Sequence, residues 1–162
     1  MKAPRLLILS LIVLFTLLQS SIVNWIQIFR VKPDILIVLV IFFSLYFGRI
    51  YGLIIGAICG FFSELTSGLP SGFAVSLYSL GGLILGQLRR WAYPDFSTLS
   101  VITTTFISTF AVYLSLFFLY QIFGVKLSVF NIMMFLILPA SVYTAVVSPF
   151  LFRFLKIVLR VR

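Results

Sequence analysis

The amino-acid sequence predicts an all-α integral membrane protein, a bundle of six transmembrane helices, and three observations carry that prediction. Hydrophobic residues make up 62% of the 162, against roughly 45–50% in soluble domains. Mean hydropathy is +1.25, more apolar surface than a water-soluble fold of this size can hide. The apolar residues also fall in long runs separated by glycine, proline and single or paired cations. At about 20 apolar residues per crossing, the length accommodates about six spans with short connections and no separate soluble unit. Residues 1–162 therefore form one polytopic domain.

The first span is expected at 6–28. Lys2 and Arg5 followed by Leu6 to Leu18 have the look of a secretory signal. Apolar character resumes after Gln19-Ser20-Ser21, however, and no small-x-small site closes the run, so it is kept as a span. The second and third are expected at 35–47 and 51–66, divided by Gly48-Arg49. A single helix from Ile35 to Ser63 competes with that division. It would be about 43 Å long with Arg49 at its middle, and a lone arginine there costs at least about 2.5 kcal/mol. Two shorter helices avoid the cost. Spans at 73–88, 98–123 and 132–152 complete the set.

Cytoplasmic loops carry the lysine and arginine excess. With six spans and both termini inside, Lys2, Arg5, Arg49, Arg89, Arg90, Arg153, Lys156, Arg160 and Arg162 are cytoplasmic, and only Arg30, Lys32 and Lys126 lie outside. A five-span chain separates the charges almost as well but strands Arg49 in the bilayer. Trp25, Trp91 and Tyr93 stand near span ends, where amphipathic rings settle.

The composition excludes several functions. A net charge of +9 would suggest nucleic acid, but the cations are scattered between apolar runs and mark topology instead. There is no histidine, one cysteine, and only Asp34, Glu64 and Asp95 as acids. A Ser-His-Asp system and histidine-containing metal sites are thus ruled out, no cofactor is implied, and Cys59 reads as a small packing residue. Asp34 and Asp95 read as loop residues on opposite sides, which argues against an intramembrane carboxylate pair.

What remains points to contact. Gly48, Gly52, Gly56 and Gly60 recur every four residues, each step turning the helix by about 40°, and form a strip where backbones can approach closely. The strip either packs inside the chain, with Gly82 and Gly86 as mates, or receives a partner. Glu64 extends it by one step and is read as a ligand or partner contact, or as the cap of the following turn. Gly68, Pro70 and Gly72 belong to a tight turn at Thr66 to Gly72. Ser100, Thr104, Ser108, Ala111 and Ser115 line one face of the fifth span and are read as helix packing. Arg89, Arg90, Arg153, Lys156 and Arg160 form a basic inner surface suited to anionic membrane lipids. Trp25, Arg30, Lys32, Pro33 and Asp34 make the candidate extracytoplasmic contact.

Between Val31 and Arg90 the chain resembles the rod-shape-determining MreD family. The resemblance rests on Lys32-Pro33-Asp34 before an aliphatic run, the glycine-spaced helix, Gly60-Phe61-Phe62-Ser63-Glu64-Leu65-Thr66-Ser67-Gly68-Leu69-Pro70-Ser71-Gly72, and Gly82-Leu83-Ile84-Leu85-Gly86-Gln87-Leu88-Arg89-Arg90. The chain departs from the family pattern at Glu64, where aspartate is usual, and at Ser71, where leucine is. The resemblance implies a non-catalytic part of the bacterial cell-elongation machinery in the cytoplasmic membrane. Its partners would be MreC, MreB, and RodA with its penicillin-binding protein. It also implies a fold similar to the S components of energy-coupling-factor transporters, a helical bundle around a pocket. A vitamin-uptake subunit of that type is the alternative, though the first span lacks the alanine pair such subunits use for docking.

Overall fold

The computed structural model describes residues 5–21, 31–67, 72–92, 97–124 and 128–159, with helix α1 at Arg5–Ser21 and α2 at Ile35–Phe47. The fold is built around α2. Every residue from Leu36 to Leu45 is buried, none more than 2% exposed. At 1.5 Å per residue its 13 residues span only about 20 Å, well short of the roughly 30 Å of a hydrocarbon core. A short helix suffices here because other helices, not lipid, surround it.

Asp34 starts α2 as its N-cap, and Gly48 ends it with φ +92, a conformation that glycine adopts without steric cost. Helix α3 (Arg49–Ser67) begins at once and folds back along α2. The division at Gly48-Arg49 is therefore real, the single long helix is not formed, and α2 has the ends expected of the second span.

Helix α4 (Phe73–Ala92) packs most intimately on α3. A Cβ built on Gly52 would land on the carbonyl of Gly82, one on Gly56 on the carbonyl of Tyr78, and one on Gly60 within 2.6 Å of the Ala74 carbonyl oxygen; Gly86 in turn sits against Arg49. Of the two readings of the glycine strip, internal packing is the one observed. As partner contacts Gly52, Gly56 and Gly60 are corrected: α4 already occupies that face.

Helix α5 (Thr98–Ile122) is capped by Ser97, whose side chain accepts from the Ser100 N–H at 3.2 Å. It packs chiefly against the last helical rod and also against α4, and its buried residues are Val101, Thr105, Thr109, Val112 and Phe117. The buried face thus lies one residue away from the Ser100, Thr104, Ser108, Ala111 and Ser115 strip, of which Ala111 is exposed.

The last rod runs from α6 (Val129–Ile132) through a π-helical turn, Met133–Ile137, into α7 (Leu138–Leu159). Pro139, which can neither donate nor fit against the preceding turn, follows the π segment directly. Pro149 lies inside α7 and leaves the Ala145 carbonyl without its helical donor; the Ser148 hydroxyl supplies one at 2.8 Å. The helix therefore continues, and Arg153 and Lys156 belong to the last turns of α7 instead of a separate amphipathic tail.

The distribution of polarity is that of a membrane bundle. Large apolar side chains face outward on several helices, among them Phe61, Leu65, Ile84, Ile107, Val146 and Phe150. Thr16, Gln19, Asp34, Ser44, Glu64, Thr105, Thr109, Ser141, Thr144 and Ser148 are buried within. Among the described residues, the segments Arg49–Thr66, Thr98–Ile122 and Val129–Leu159 are long and apolar enough to cross a membrane, and Ser10–Gln19, Ile35–Phe47 and Phe73–Leu88 are shorter apolar helices.

Candidate functional site

The N-terminus of α2 lies inside the bundle, so its first N–H groups have no water to bond and must find protein acceptors. Three elements supply them. The Ile35 N–H donates to Gln19 Oε1 of α1 at 3.0 Å, the Asp34 N–H to Thr144 Oγ1 of α7 at 3.0 Å, and the Ile37 N–H to Asp34 Oδ1 at 3.2 Å. Thr144 passes its own proton to the Ala140 carbonyl at 2.7 Å. The other carboxylate oxygen of Asp34 accepts from two phenols, the Tyr78 hydroxyl of α4 in a short bond and the Tyr113 hydroxyl of α5 at 2.9 Å. Ser63 of α3 hydrogen-bonds Tyr78 in turn. Asp34 thereby ties α4, α5 and α7 to the central helix, while Gln19 ties α1 to it through Ile35, and the Asp34 charge complements the α2 dipole.

Glu64 performs the same service for α4. Its Oε2 accepts from the Gly72 N–H at 3.0 Å, and its Oε1 accepts from Ala74 at 2.7 Å and Val75 at 3.3 Å. Gly72 precedes the helix with φ +74. The cap is thus borrowed from α3, and the carboxylate is buried, 7% exposed. Glu64→Ala is expected to cost about 1–2 kcal/mol through loss of the cap, and Glu64→Gln less than half of that, because the amide oxygen still accepts. Unfolding midpoints of the two purified variants check the order.

Both carboxylates line a cavity of about 540 Å³, with Gln19, Lys32, Tyr78, Tyr113 and Tyr120 on its polar side and Leu116, Phe117, Ile132, Leu136 and Ile137 on its apolar side. The cavity lies at the end of the bundle where α1, α3 and α5 finish and α2, α4 and α6 begin. The opposite end carries Arg49, which donates to Gln87 Oε1 at 3.5 Å, and Lys156, whose Nζ stands 5.5 Å from the centre of the Tyr46 ring. Thr98, Arg153 and Lys156 border a small recess of about 90 Å³ there.

Several expected site residues change character. Asp34 is 4% exposed, and Pro33 is also buried. Neither forms an outer contact surface, because the α2 N-terminus they introduce lies below the bundle's end. Lys32 is half-buried and lines the cavity. Asp34 and Glu64 share that cavity, so Glu64 is not the sole acid within the bundle. Trp25, Arg30, Gly68, Pro70 and Arg160 lie outside the described residues, as do the side chains of Arg89 and Arg90, whose backbone ends α4. Tyr78, Tyr113, Thr144 and Gln19 were not singled out by sequence. A tyrosine in the middle of an apolar helix needs a buried hydrogen-bond partner, and that was the available signal for the first two. Among the described residues, no three metal-ligating side chains come together.

A family model described as "rod shape-determining protein MreD" matches residues 2–162, essentially the whole chain, and the chain belongs to that family. No curated protein and no solved structure matches it.

Proposed function

From this membership, we propose that the chain is a non-catalytic scaffold of the cell-elongation complex, with six crossings, both termini in the cytoplasm, and a role in placing lateral wall synthesis. The family match along 2–162 carries the reading. Arg49, Arg153 and Lys156 gather at one end of the bundle, which fits a cytoplasmic face of the inner membrane under the positive-inside rule. The cavity then lies at the outer end. The pocketed bundle also fits the S-component type of fold, with residues 1–162 as a single domain.

The direct partner is a bitopic protein of the MreC type, with MreB, RodA and its penicillin-binding protein in the same assembly. Since the glycine strip packs internally, the partner's membrane helix docks on the outer face of α3 and α4, where Phe61, Leu65 and Ile84 are exposed. Depletion in a rod-shaped host is expected to round the cells. A photo-crosslinking residue at Phe61 or Ile84 is expected to capture the MreC-type protein, and one at Ile107 on α5 to capture none. Capture from Ile107 alone would move the interface to the other side of the bundle. Unchanged cell shape with a vitamin requirement would favour the uptake subunit, which the cavity keeps as the second reading.

A further inference from the structure

A scaffold that works only through its outer faces has no use for an internal cavity, yet this one is built with care. Its volume of about 540 Å³ lies within the roughly 300–1,000 Å³ of small-molecule sites. Its lining holds two kinds of side chain. Leu116 of α5 and Leu136 of the π segment are among the apolar ones that make the apolar wall, and the two carboxylates, Asp34 and Glu64, are the acidic ones, with Tyr113 and Tyr120 on the same α5 face as Leu116. Three hydroxyls around the cavity are already engaged: those of Tyr78 and Tyr113 point at Asp34, and that of Thr66 serves carbonyls of its own helix. Acceptor capacity is left over. Among the described residues, each carboxylate accepts three hydrogen bonds, only one of them at Asp34 Oδ1 and at Glu64 Oε2, which leaves about one of its roughly four acceptor positions.

A ligand that donates finds acceptors here, and charge narrows the choice. Among the described residues that line the cavity, two carboxylates face one lysine, Lys32, which repels an anionic head and attracts a cationic one. Tyrosine rings in the same lining add cation–π attraction, about 0.5–2 kcal/mol per favourable contact. The apolar wall needs a hydrocarbon or aromatic body against it. We propose that the cavity binds an ammonium group carried on an apolar body, the ammonium at Asp34 and Glu64 and the body along Leu116 and Leu136. The source is either an aminophospholipid entering from the bilayer or a soluble organic amine. The site stands apart from the partner reading, since its assay contains no partner and the crosslinking assay contains no ligand.

The test uses the purified full chain in neutral maltoside micelles and three probes of equal length, octylammonium, octanol and octanoate, titrated by calorimetry with protein-free micelles subtracted. Octylammonium is expected to saturate a single site and octanoate to show none. Leu116→Trp, which fills the apolar wall, should weaken octylammonium at least tenfold with the unfolding midpoint retained; if that variant does not fold, Leu136→Trp on the more exposed part of the wall replaces it. Lys32→Gln should tighten octylammonium several-fold. Native mass spectrometry after extraction from mixed phosphatidylethanolamine and phosphatidylglycerol discs assigns the source. Selective retention of phosphatidylethanolamine identifies the lipid, and an empty protein that still binds octylammonium identifies a soluble amine. Equal binding of all three probes, or octylammonium binding untouched by the tryptophan, would overturn the proposal.

Discussion

Asp34→Leu is expected to destabilise the purified protein by about 2–4 kcal/mol, the largest loss from any single side chain on the polar wall. The substitution removes the cap on Ile37 and the acceptor shared by Tyr78 and Tyr113. Hydrogen bonds between membrane helices contribute about 0.6–1.7 kcal/mol each, and an N-cap about 1 kcal/mol. The Tyr78 phenol cannot turn to water, because Tyr78 is 1% exposed, so its loss is not offset. Asp34→Asn keeps an oxygen for Ile37 and an amide that either hydroxyl can accept from, and should cost about 1 kcal/mol, the size of one such bond. Denaturation of both variants in the same detergent gives the comparison. Equal stability of Asp34→Leu and the parent would mean that the Asp34 node does not hold the helices together.

The sequence shows why this node was legible only in part. A run of apolar residues bounded by Asp34 and Gly48 announces a helix with those ends, and the structure forms it. What the run cannot announce is its surroundings. In a membrane, a helix apolar on every face looks the same whether lipid or protein encloses it, so the central position of α2 has no periodic signature. Its length was the missed clue. A run too short for the bilayer, opened by an acid, places that acid below the surface, where it must have partners. Its partners, Tyr78, Tyr113 and Thr144, and Gln19 beside them on Ile35, come from four other helices at sequence separations set by topology alone. Glu64 was easier to read, since capping the next turn needs only a separation of ten residues, from Glu64 to Ala74. The π turn at Met133–Ile137 left a trace only in Pro139.

Fixing one end of the bundle through Asp34 and Glu64 has a consequence for the cavity beside them. Both carboxylates are held by backbone N–H groups of helix N-termini, positions that secondary structure sets and that do not reorganise when a ligand arrives. A site of this kind meets its ligand with the polar wall already oriented, and preorganisation of that sort reduces the ordering cost of binding. The apolar part of the lining includes Leu136 and Ile137 of the π turn, a helical form often found at functional positions.

The second large effect is expected at the glycine strip, where Gly56→Ala should cost about 3 kcal/mol. Adding methylenes to a packed core costs about 1–3 kcal/mol when side chains can shift. At Gly56 the obstacle is the Tyr78 carbonyl and the Ser79 Cα, backbone that moves only if α3 and α4 separate. Gly81→Ala is the matched control in the same pair of helices. Its Cβ would meet only Val112 Cγ2, at 3.8 Å, so the gain in helix propensity, up to about 1 kcal/mol, is retained. The two variants differ by one methyl group each and should shift the unfolding midpoint in opposite directions. That contrast also separates internal packing from a partner interface. A strip reserved for a partner would leave the isolated protein as stable with alanine at position 56 as with glycine, and the loss would surface only when the partner is added.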